Sequence, residues 1–304
     1  MVDDYSNWMK DVDGNLYLSQ LSIPGTHNSA ACHIALPSVK CQDHTISEQL
    51  EQGVRFLDIR LGKPLFSGKN TEAKDISELQ VIHGKFPVRI PFPVKFSGTL
   101  DEIYKFLDKH PDEAVIVSLK QEGSDSWNND EDEFPNYIWE HYISKNQDKW
   151  YLKPEAPKLQ DARGKIVLFR RFGLKDEAKK DHFGIEASWW TYNTTSEDRG
   201  TIHVQDYCEV NKTDDIVQKA QYVKDLMQTA HQFNSTNPES TKMFLNFCSG
   251  SNFHNPDCWP EKIASKMAQC EVFNDIKKGC GVVVIDYAGM NAWQYPHQIV
   301  DCNF

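Results

Sequence analysis

Short apolar runs rich in β-branched residues recur along the chain, and most of them end in polar side chains. Continuous apolar runs of this length are typical of strands buried on both faces, as in a parallel sheet. The pattern predicts eight strands, at Leu18–Ile23, Val54–Leu61, Leu79–His83, Ala114–Lys120, Lys165–Arg170, Thr201–Tyr207, Lys242–Cys248 and Gly281–Tyr287.

Segments with helical spacing lie between several of these strands. In Thr99–Lys109, the side chains of Ile103, Phe106 and Leu107 fall on one face, and Thr99 followed by Glu102 has the form of a capping box. The other predicted helices are Ile46–Glu51, Phe134–Lys145, Thr213–Phe233 and Pro260–Lys277.

Strands that alternate with helices predict an α/β fold. Eight strands in 304 residues favour a closed barrel over an open sheet, so we expect a single domain, residues 1–304, folded as a TIM-like (β/α)8 barrel. The loop-like segment between the second and third strands predicts that the barrel is irregular there.

The formal net charge of −11, with no Lys/Arg cluster, argues against a nucleic-acid partner and against strong electrostatic attachment to anionic membranes. No apolar stretch approaches the roughly 20 residues that span a bilayer. The acidic stretch Ser124–Glu133 lacks EF-hand spacing and its glycine, so a solvated loop is favoured there over a calcium site.

The eight cysteines include no CxxC pair, so a structural zinc site is not expected, and their even number permits disulfides. Together with three glycosylation sequons, at Asn193, Asn211 and Asn234, this favours a secreted protein. The acidic N-terminus lacks the apolar core of a signal peptide, which leaves a cytosolic protein as the alternative. The local pairings to test first are Cys32 with Cys41 and Cys248 with Cys258.

Ionisable residues end most of the predicted strands. In an α/β barrel the carboxyl ends of the strands surround the active site. Two imidazoles can serve as general base and general acid, and an arginine between them can hold a phosphate, so these groups can cleave a phosphodiester by attack of a neighbouring hydroxyl. The residues at or just beyond strand ends are His27, Asp58, Arg60, His83, Lys120, Arg170, Asp206 and Asp286.

Each of these residues also has a purely structural interpretation. His27 follows a Pro-Gly turn and could bond to the backbone there, and Asp58 and Arg60 could form a structural ion pair on one strand face. Asp286 follows four aliphatic residues and is harder to explain in this way, because a nearly buried carboxylate needs a partner.

The ordered motifs SIPGTHNS, RFLDIRL, VIHG, VIVSLKQE and VVVIDYAG run from Ser22 to Gly289. They resemble the catalytic X-domain of phosphatidylinositol-specific phospholipases C, and most of all the small single-domain bacterial type. The resemblance implies an irregular barrel that cleaves phosphatidylinositol to diacylglycerol and inositol 1,2-cyclic phosphate, and glycosylphosphatidylinositol anchors are a further expected substrate.

The resemblance also implies roles for individual residues. His27 matches the general base, Asp286 the carboxylate that supports it, and His83 the general acid. Arg60 matches the cation beside the phosphate oxygens, and Asp58 the carboxylate on the same strand face. The positions that match contacts to the inositol ring are Lys120, Arg170, Asp206 and, as an aromatic wall, Tyr207; the run FRRF leaves Arg171 as the competitor of Arg170.

Two positions bear on a metal. Relatives that use calcium place carboxylates where Arg60 and Lys120 stand, and two cations would repel calcium, so we expect catalysis without a metal or cofactor. The bacterial type has Asp after the first histidine, whereas this chain has Asn28, as calcium-dependent relatives do. Asn28 therefore leaves lower activity, an altered assisting carboxylate and residual calcium binding open.

A lipid substrate implies transient, peripheral contact of a monomer with a membrane surface. The candidate segments are Pro87–Phe96, Trp189-Trp190 and the loop around Trp259, because tryptophan favours the bilayer interface. Two alternatives stay open at this point. One is another barrel phosphodiesterase, of the glycerophosphodiester or sphingomyelin type, and the other is a lipid-binding protein whose catalysis is impaired.

Overall fold

A curled, mostly parallel sheet forms the centre of the computed structural model, which describes residues 1–68, 70–123 and 125–304. Valine, isoleucine, leucine and phenylalanine dominate its strands, and most of these side chains are fully buried. The strands are β1 Ser22–Thr26, β2 Phe56–Gly62, β3 Gln80–His83, β4 Phe86–Pro87, β5 Val115–Gln121, β6 Trp150–Tyr151, β7 Ile166–Arg171, β8 Ile185–Glu186, β9 Glu197–Asp198, β10 Ile202–Gln205, β11 Met243–Phe247 and β12 Gly281–Ile285.

The sheet order is β6-β7-β5-β2-β1-β12-β11-β10-β9, and every pair along this path is parallel except β9 with β10. This confirms the predicted α/β barrel class in an irregular form, since no ladder among the described residues closes the sheet between its two ends. The third predicted strand differs from the expectation. It pairs antiparallel with β2 and with β4, and so forms a hairpin off the barrel path.

The helices cover the outside of the sheet. They are α1 Ile46–Glu51, α2 Phe96–Lys109, α3 Glu133–Ile138, α4 Leu159–Ala162, α5 Thr213–Thr236, α6 Pro260–Gln269 and α7 Met290–Asp301. Short 3₁₀ helices lie at Tyr5–Asp11, Leu18–Gln20, Ala73–Asp75, Asn129–Glu131, Ser144–Lys149, Glu177–His182 and Pro256–Cys258, and a π-helical turn spans Trp139–Ile143.

Three details of the helix prediction were wrong. Because α2 begins at Phe96, Thr99 lies inside the helix and is no N-cap, so the proposed capping box is absent there. The α6 helix ends at Gln269, well before the predicted end, and α7 was not predicted. Only α1 has the predicted bounds, with the Thr45 side chain accepting from the backbone N–H of Glu48 at its start.

The end of the barrel opposite the strand carboxyl ends is closed by the N-terminal segment. Trp8 is fully buried there, and Arg55 forms an ion pair with Glu113 at 2.8 Å while donating to four backbone carbonyls, so its charge is fully matched. Tyr5 donates to Asp301 at 3.1 Å, which fastens the same segment to α7.

The cysteines and the acidic stretch also differ from expectation. All eight cysteines lie within the described residues and are free thiols, so neither predicted disulfide forms. In the acidic stretch, Ser124 lies outside the described residues, and Asp132 is buried and accepts from the backbone N–H groups of Lys175 and Asp176. This stretch is therefore partly structural and not simply a solvated loop. Within the described ranges, no helix has the length and apolarity that crossing a bilayer requires.

Candidate active site

A cleft of about 400 Å³ opens at the carboxyl ends of the strands. Strand register brings its polar side chains together: Arg60 on β2 pairs with Lys120 on β5, which in turn pairs with Arg171 on β7. The lining residues are His27, Arg60, His83, Lys120, Arg171, Ala187, Ser188, Trp189, Trp190, Tyr192, Asp206, Cys208, Glu209, Ser249, Gly250 and Ser251.

His27 and Asp286 form a bonded pair at one wall of the cleft. Thr26 pairs with Ile285 in the β1–β12 ladder, so the residues that follow them, His27 and Asp286, are also adjacent. His27 Nδ1 lies 2.8 Å from Asp286 Oδ1. Because a carboxylate accepts, Nδ1 carries the proton and Nε2 is left as a proton acceptor. Burial raises the pKa of Asp286, and the neighbouring imidazole opposes that shift.

Gln42 fixes the backbone beneath this pair, and sequence reasoning missed it. Its Nε2 donates to the carbonyls of His27, at 2.8 Å, and of Ile285, at 2.9 Å. Its Oε1 accepts from the backbone N–H of Ala288 at 3.2 Å. One buried amide thus ties β1 to β12 just where the two site residues emerge. An isolated glutamine in a loop carries no sequence pattern that would have indicated this role.

His83 faces His27 across the cleft, with the ring centroids 6.0 Å apart and the rings nearly perpendicular. Its Nδ1 lies 3.0 Å from the carbonyl oxygen of Val39, which can only accept, so Nδ1 is protonated and Nε2 is available to a ligand. Burial, together with the charges of His27 and Arg60, lowers the pKa of His83 to about 4. This imidazole is therefore neutral at pH 7.

Arg60 is held between two carboxylates. Its guanidinium lies 3.1 Å from Asp58 Oδ2 and 3.3 Å from Glu122 Oε1. Burial alone would raise the pKa of Asp58, but the charges of Arg60 and Arg171 hold it well below its ordinary value. The guanidinium thus has a fixed position and a fixed charge.

Glu122 is the second residue that sequence reasoning missed. Its Oε1 accepts from Lys120 Nζ at 3.3 Å as well as from Arg60, so one carboxylate links two cations of the cleft. Burial and the charge of Arg60 both lower the pKa of Lys120. Glu122 follows Lys120 at the two-residue spacing of one strand face, and this spacing could have identified it.

Arg171, and not Arg170, reaches the cleft. Successive strand residues point to opposite faces, so only one of the two arginines in the run FRRF can do so. Arg170 is 1% exposed and donates to the carbonyl of Phe172. Arg171 lies 4.1 Å above the ring of Trp190 and 3.7 Å from Asp58. The prediction of Arg170 is corrected to Arg171.

Asp206 lines the cleft as predicted, and Tyr207 does not. Asp206 accepts from the indole N–H of Trp190 at 3.0 Å. The ring of Tyr207 packs against Tyr222 outside the cleft, with centroids 5.3 Å apart. The aromatic side chains of the cleft are instead Trp189, Trp190 and Tyr192.

Asn28 connects the two halves of the site. Its backbone has a positive φ of 43°, and its N–H donates to Asp58 Oδ2 at 3.1 Å. Its side-chain Nδ2 lies 3.2 Å from His27 Nε2, the proton-accepting atom. A substrate hydroxyl that reaches Nε2 must therefore displace or share this amide donor.

Only one group of possible metal ligands is present among the described residues. It consists of His27, Cys41 and Asp286, whose ligand atoms lie within 4.8 Å of one another. Its sulfur and nitrogen donors suit zinc. They do not suit calcium, which prefers a set of oxygen donors. The cations Arg60, Lys120 and Arg171 supply fixed positive charge elsewhere in the cleft.

The fold and the site together define an α/β barrel with acid–base groups arranged around an anion-binding guanidinium. Residues 16–172, just over half of the chain, match the family described as phosphatidylinositol-specific phospholipase C, X domain. The chain belongs to this family, which confirms the resemblance seen in its motifs.

Relatives extend the similarity to the whole chain. A 1-phosphatidylinositol phosphodiesterase of Staphylococcus aureus (strain Newman) is 28% identical, with 98% of this chain and 94% of the relative aligned. The protein of the same name from Listeria monocytogenes is 26% identical over 92% of this chain and 80% of its own. The crystal structure of a pentafluoro-Phe-incorporated phosphatidylinositol-specific phospholipase C from S. aureus superposes with a TM-score of 0.78 at 24% identity, covering 99% of this chain and 98% of that one, and this supports the barrel fold.

Proposed function

We propose that this protein is a phosphatidylinositol-specific phospholipase C that forms diacylglycerol and inositol 1,2-cyclic phosphate. The observation that carries the proposal is the His27–Asp286 pair facing His83 across one cleft, with Arg60 fixed in that cleft. Support also comes from relatives named 1-phosphatidylinositol phosphodiesterase that align with nearly the whole chain. Glycosylphosphatidylinositol anchors carry the same inositol phosphate and are proposed as a second substrate.

The proposed reaction begins at His27. Its Nε2 takes the proton of the inositol 2-hydroxyl, and that oxygen attacks the phosphorus to close the five-membered cyclic phosphate. Asp286 accepts from Nδ1–H and stabilises the imidazolium that forms. The bond from phosphorus to the diacylglycerol oxygen breaks, and His83 Nε2 gives its proton to that oxygen.

His83 must be cationic to act as this acid, although its lowered pKa leaves it neutral at pH 7. A bound phosphodiester brings a negative charge next to the imidazole, and a nearby opposite charge raises the pKa of a histidine. Glu122 favours the cation in the same way. Substrate binding thus favours the protonated form of His83, while Arg60 stabilises the negative charge on the non-bridging oxygens.

The remaining cleft residues fit the inositol ring. Lys120 and Arg171 can donate to ring hydroxyls, and Asp206 can accept from them. The planar side chain of Trp190, fixed by its bond to Asp206 and by Arg171 above it, offers an apolar face to the ring. These roles explain why a cleft with few apolar residues would select a polyhydroxylated ring.

We also propose that the reaction needs no metal. Arg60 lies between Asp58 and Glu122, the two carboxylates that would otherwise attract a hard cation, and Lys120 contacts Glu122 as well. These carboxylates are therefore already neutralised, and the guanidinium supplies the positive charge at the phosphate.

Exposed apolar side chains near the cleft are the proposed membrane contact of a monomeric, secreted protein. The rings of Phe86 and Phe253 stack 6.3 Å apart, and they join the hairpin that carries His83 to the loop that follows Ser251. Phe92 and Trp189 are 75% and 59% exposed. With a net charge of −11, attachment rests on insertion of such side chains and is only weakly sensitive to salt.

Phosphorus NMR of the purified protein with phosphatidylinositol micelles tests the proposal. We expect the cyclic phosphate to appear in excess EDTA, and both His27→Ala and His83→Ala to lose activity. Turnover only with added calcium would contradict the metal-independent mechanism. Full activity of both variants would contradict the assignment of base and acid. No turnover with phosphatidylinositol under either condition would refute the proposed function.

A further inference from the structure

A buried thiol lies behind the two histidines of the cleft, next to His83 and Asn28, and the proposed reaction does not use it. Cys41 is 0% exposed, and its Sγ lies 3.8 Å from His83 Nδ1 and 3.7 Å from Asn28 Nδ2. The carbonyl of Cys41 accepts from the N–H of Tyr287 at 2.8 Å, which fixes this segment beside the end of β12. The thiol is thereby held next to the two histidines and Asp286.

The geometry of this cluster is close to that of a zinc site. A ring nitrogen of His27, Cys41 Sγ and a carboxylate oxygen of Asp286 all lie within 4.8 Å of one another. Zinc bonds of 2.0–2.3 Å place the ligand atoms of a tetrahedral site roughly 3.4–3.6 Å apart. Side-chain movements of about 1 Å would therefore complete such a site.

A second feature at the same place is an unpaired carboxylate oxygen. Asp286 Oδ2 is buried and has no hydrogen-bond partner among the described residues, although buried polar atoms are nearly always paired. Asp286 is only 6% exposed, so bulk water does not satisfy this oxygen. A cation beside Oδ2 would supply the partner that the protein itself does not provide.

We propose that His27, Cys41 and Asp286 bind a zinc ion or a similar soft divalent cation, and that this ion inhibits the enzyme. On binding, the Cys41 S–H bond breaks, a sulfur–zinc bond forms and the proton passes to solvent. His27 stays neutral, with its proton on the ring nitrogen that does not bind the metal. The thiolate and the carboxylate offset the charge of the dication, and water completes four-fold coordination.

Inhibition follows from which atoms the ion occupies. His27 cannot accept a proton from substrate while it ligates a metal, and Asp286 can no longer support its imidazolium. The ion enters through the cleft, because His27 lines it. The site is distinct in chemistry from a calcium site, since it depends on sulfur and nitrogen donors.

Cobalt provides a probe that needs no substrate. The protein, residues 1–304, is freed of metal and titrated with CoCl2. We expect a thiolate-to-cobalt charge-transfer band together with visible bands typical of tetrahedral Co²⁺, and added zinc should abolish all of them. Cys41→Ser should lose the charge-transfer band. Cys248→Ala, which removes a buried thiol from outside the cluster, should keep it. Retention of the band in Cys41→Ser, or its absence from the wild type at saturating cobalt, would overturn the proposal.

A parallel measurement does not depend on the folding of a variant. X-ray absorption at the zinc edge of the wild-type protein should show one sulfur among the nitrogen and oxygen ligands, and a shell without sulfur would also overturn the proposal. In the activity assay, zinc should inhibit reversibly, with EDTA restoring the rate, and Cys41→Ser should need at least tenfold more zinc. Because the spectra are independent of turnover, failure of the zinc site and failure of the proposed function remain distinguishable.

Discussion

Replacement of Asp286 by Asn tests the central electrostatic argument, because it removes the charge and almost no volume. The imidazolium that forms on His27 lies next to this carboxylate, with 2.8 Å between Nδ1 and Oδ1. Two unit charges centred about 4 Å apart interact by about 4 kcal/mol at an effective dielectric constant of 20. Each 1.36 kcal/mol of transition-state stabilisation is a factor of ten in rate. We therefore expect Asp286→Asn to lower kcat/KM on the order of a thousandfold.

The assay is the initial rate of cyclic phosphate formation from phosphatidylinositol micelles, with Asp301→Asn as the control that removes a carboxylate from the far end of the barrel. Burial raises the pKa of Asp286, so its ionised form is disfavoured by folding, and the variant should be at least as stable to urea as the wild type. A loss of less than tenfold with an intact fold would refute the claim that Asp286 stabilises the cation.

Four further results are expected. The free energy of unfolding should fall on the order of 2 kcal/mol as the pH drops from about 6.5 to 4, because His83 is protonated in this range in the unfolded chain and not in the folded one. Urea titrations of His83→Asn should show a smaller fall. Arg55→Met leaves the buried carboxylate of Glu113 without its partner and should lower the free energy of unfolding by about 3–5 kcal/mol in the same urea assay. The kcat of the folded protein should not change. Phe253→Ser should weaken vesicle binding about 10-fold or more. It should not change the slow hydrolysis of soluble inositol 1,2-cyclic phosphate, which we expect as a second step at the same site. Phe304→Ser, equally exposed at the opposite end, should have no effect on sedimentation with vesicles. Arg171→Met should raise KM for the same soluble substrate with kcat less affected, and an unchanged KM would remove Arg171 from the substrate site.

The half of the cleft that holds His27, Arg60 and Asp286 was predictable because these residues lie near or just beyond the carboxyl ends of buried strands. His27 and Asp286 are next to β1 and β12, and Arg60 lies within β2, so the direction of a parallel sheet was enough to bring them to one end. His83 was also placed correctly, although its strand belongs to an antiparallel hairpin. His83 was identified because a polar residue follows the apolar run, and not because of the direction of its strand.

The half of the cleft that holds Arg171 and Asp206 was less predictable, because in short runs the sequence does not show which residues of a strand point inward. In FRRF, Arg170 directly follows four apolar residues and Arg171 comes one position later. Only the register of β7 against β5 decides that Arg171 points inward. Tyr207 lies two residues beyond the end of β10, where the alternation of side chains no longer applies. Gln42 acts through backbone carbonyls that are distant in sequence, and such contacts exist only once the fold is formed.

The left-handed backbone at Asn28 restricts which residues can follow His27. With φ at 43°, a branched or bulky side chain would be strained, whereas Asn, Asp and Gly adopt this conformation readily. The N–H of this residue is committed to Asp58, so the turn itself is fixed. The small set of tolerated residues includes Asn, a neutral amide, and Asp, which has the same shape and is ionised. An exchange between them would change the charge of the cleft by one unit and leave the backbone unchanged. The turn therefore lets a single amino-acid exchange change the electrostatics beside His27 without a change of backbone conformation.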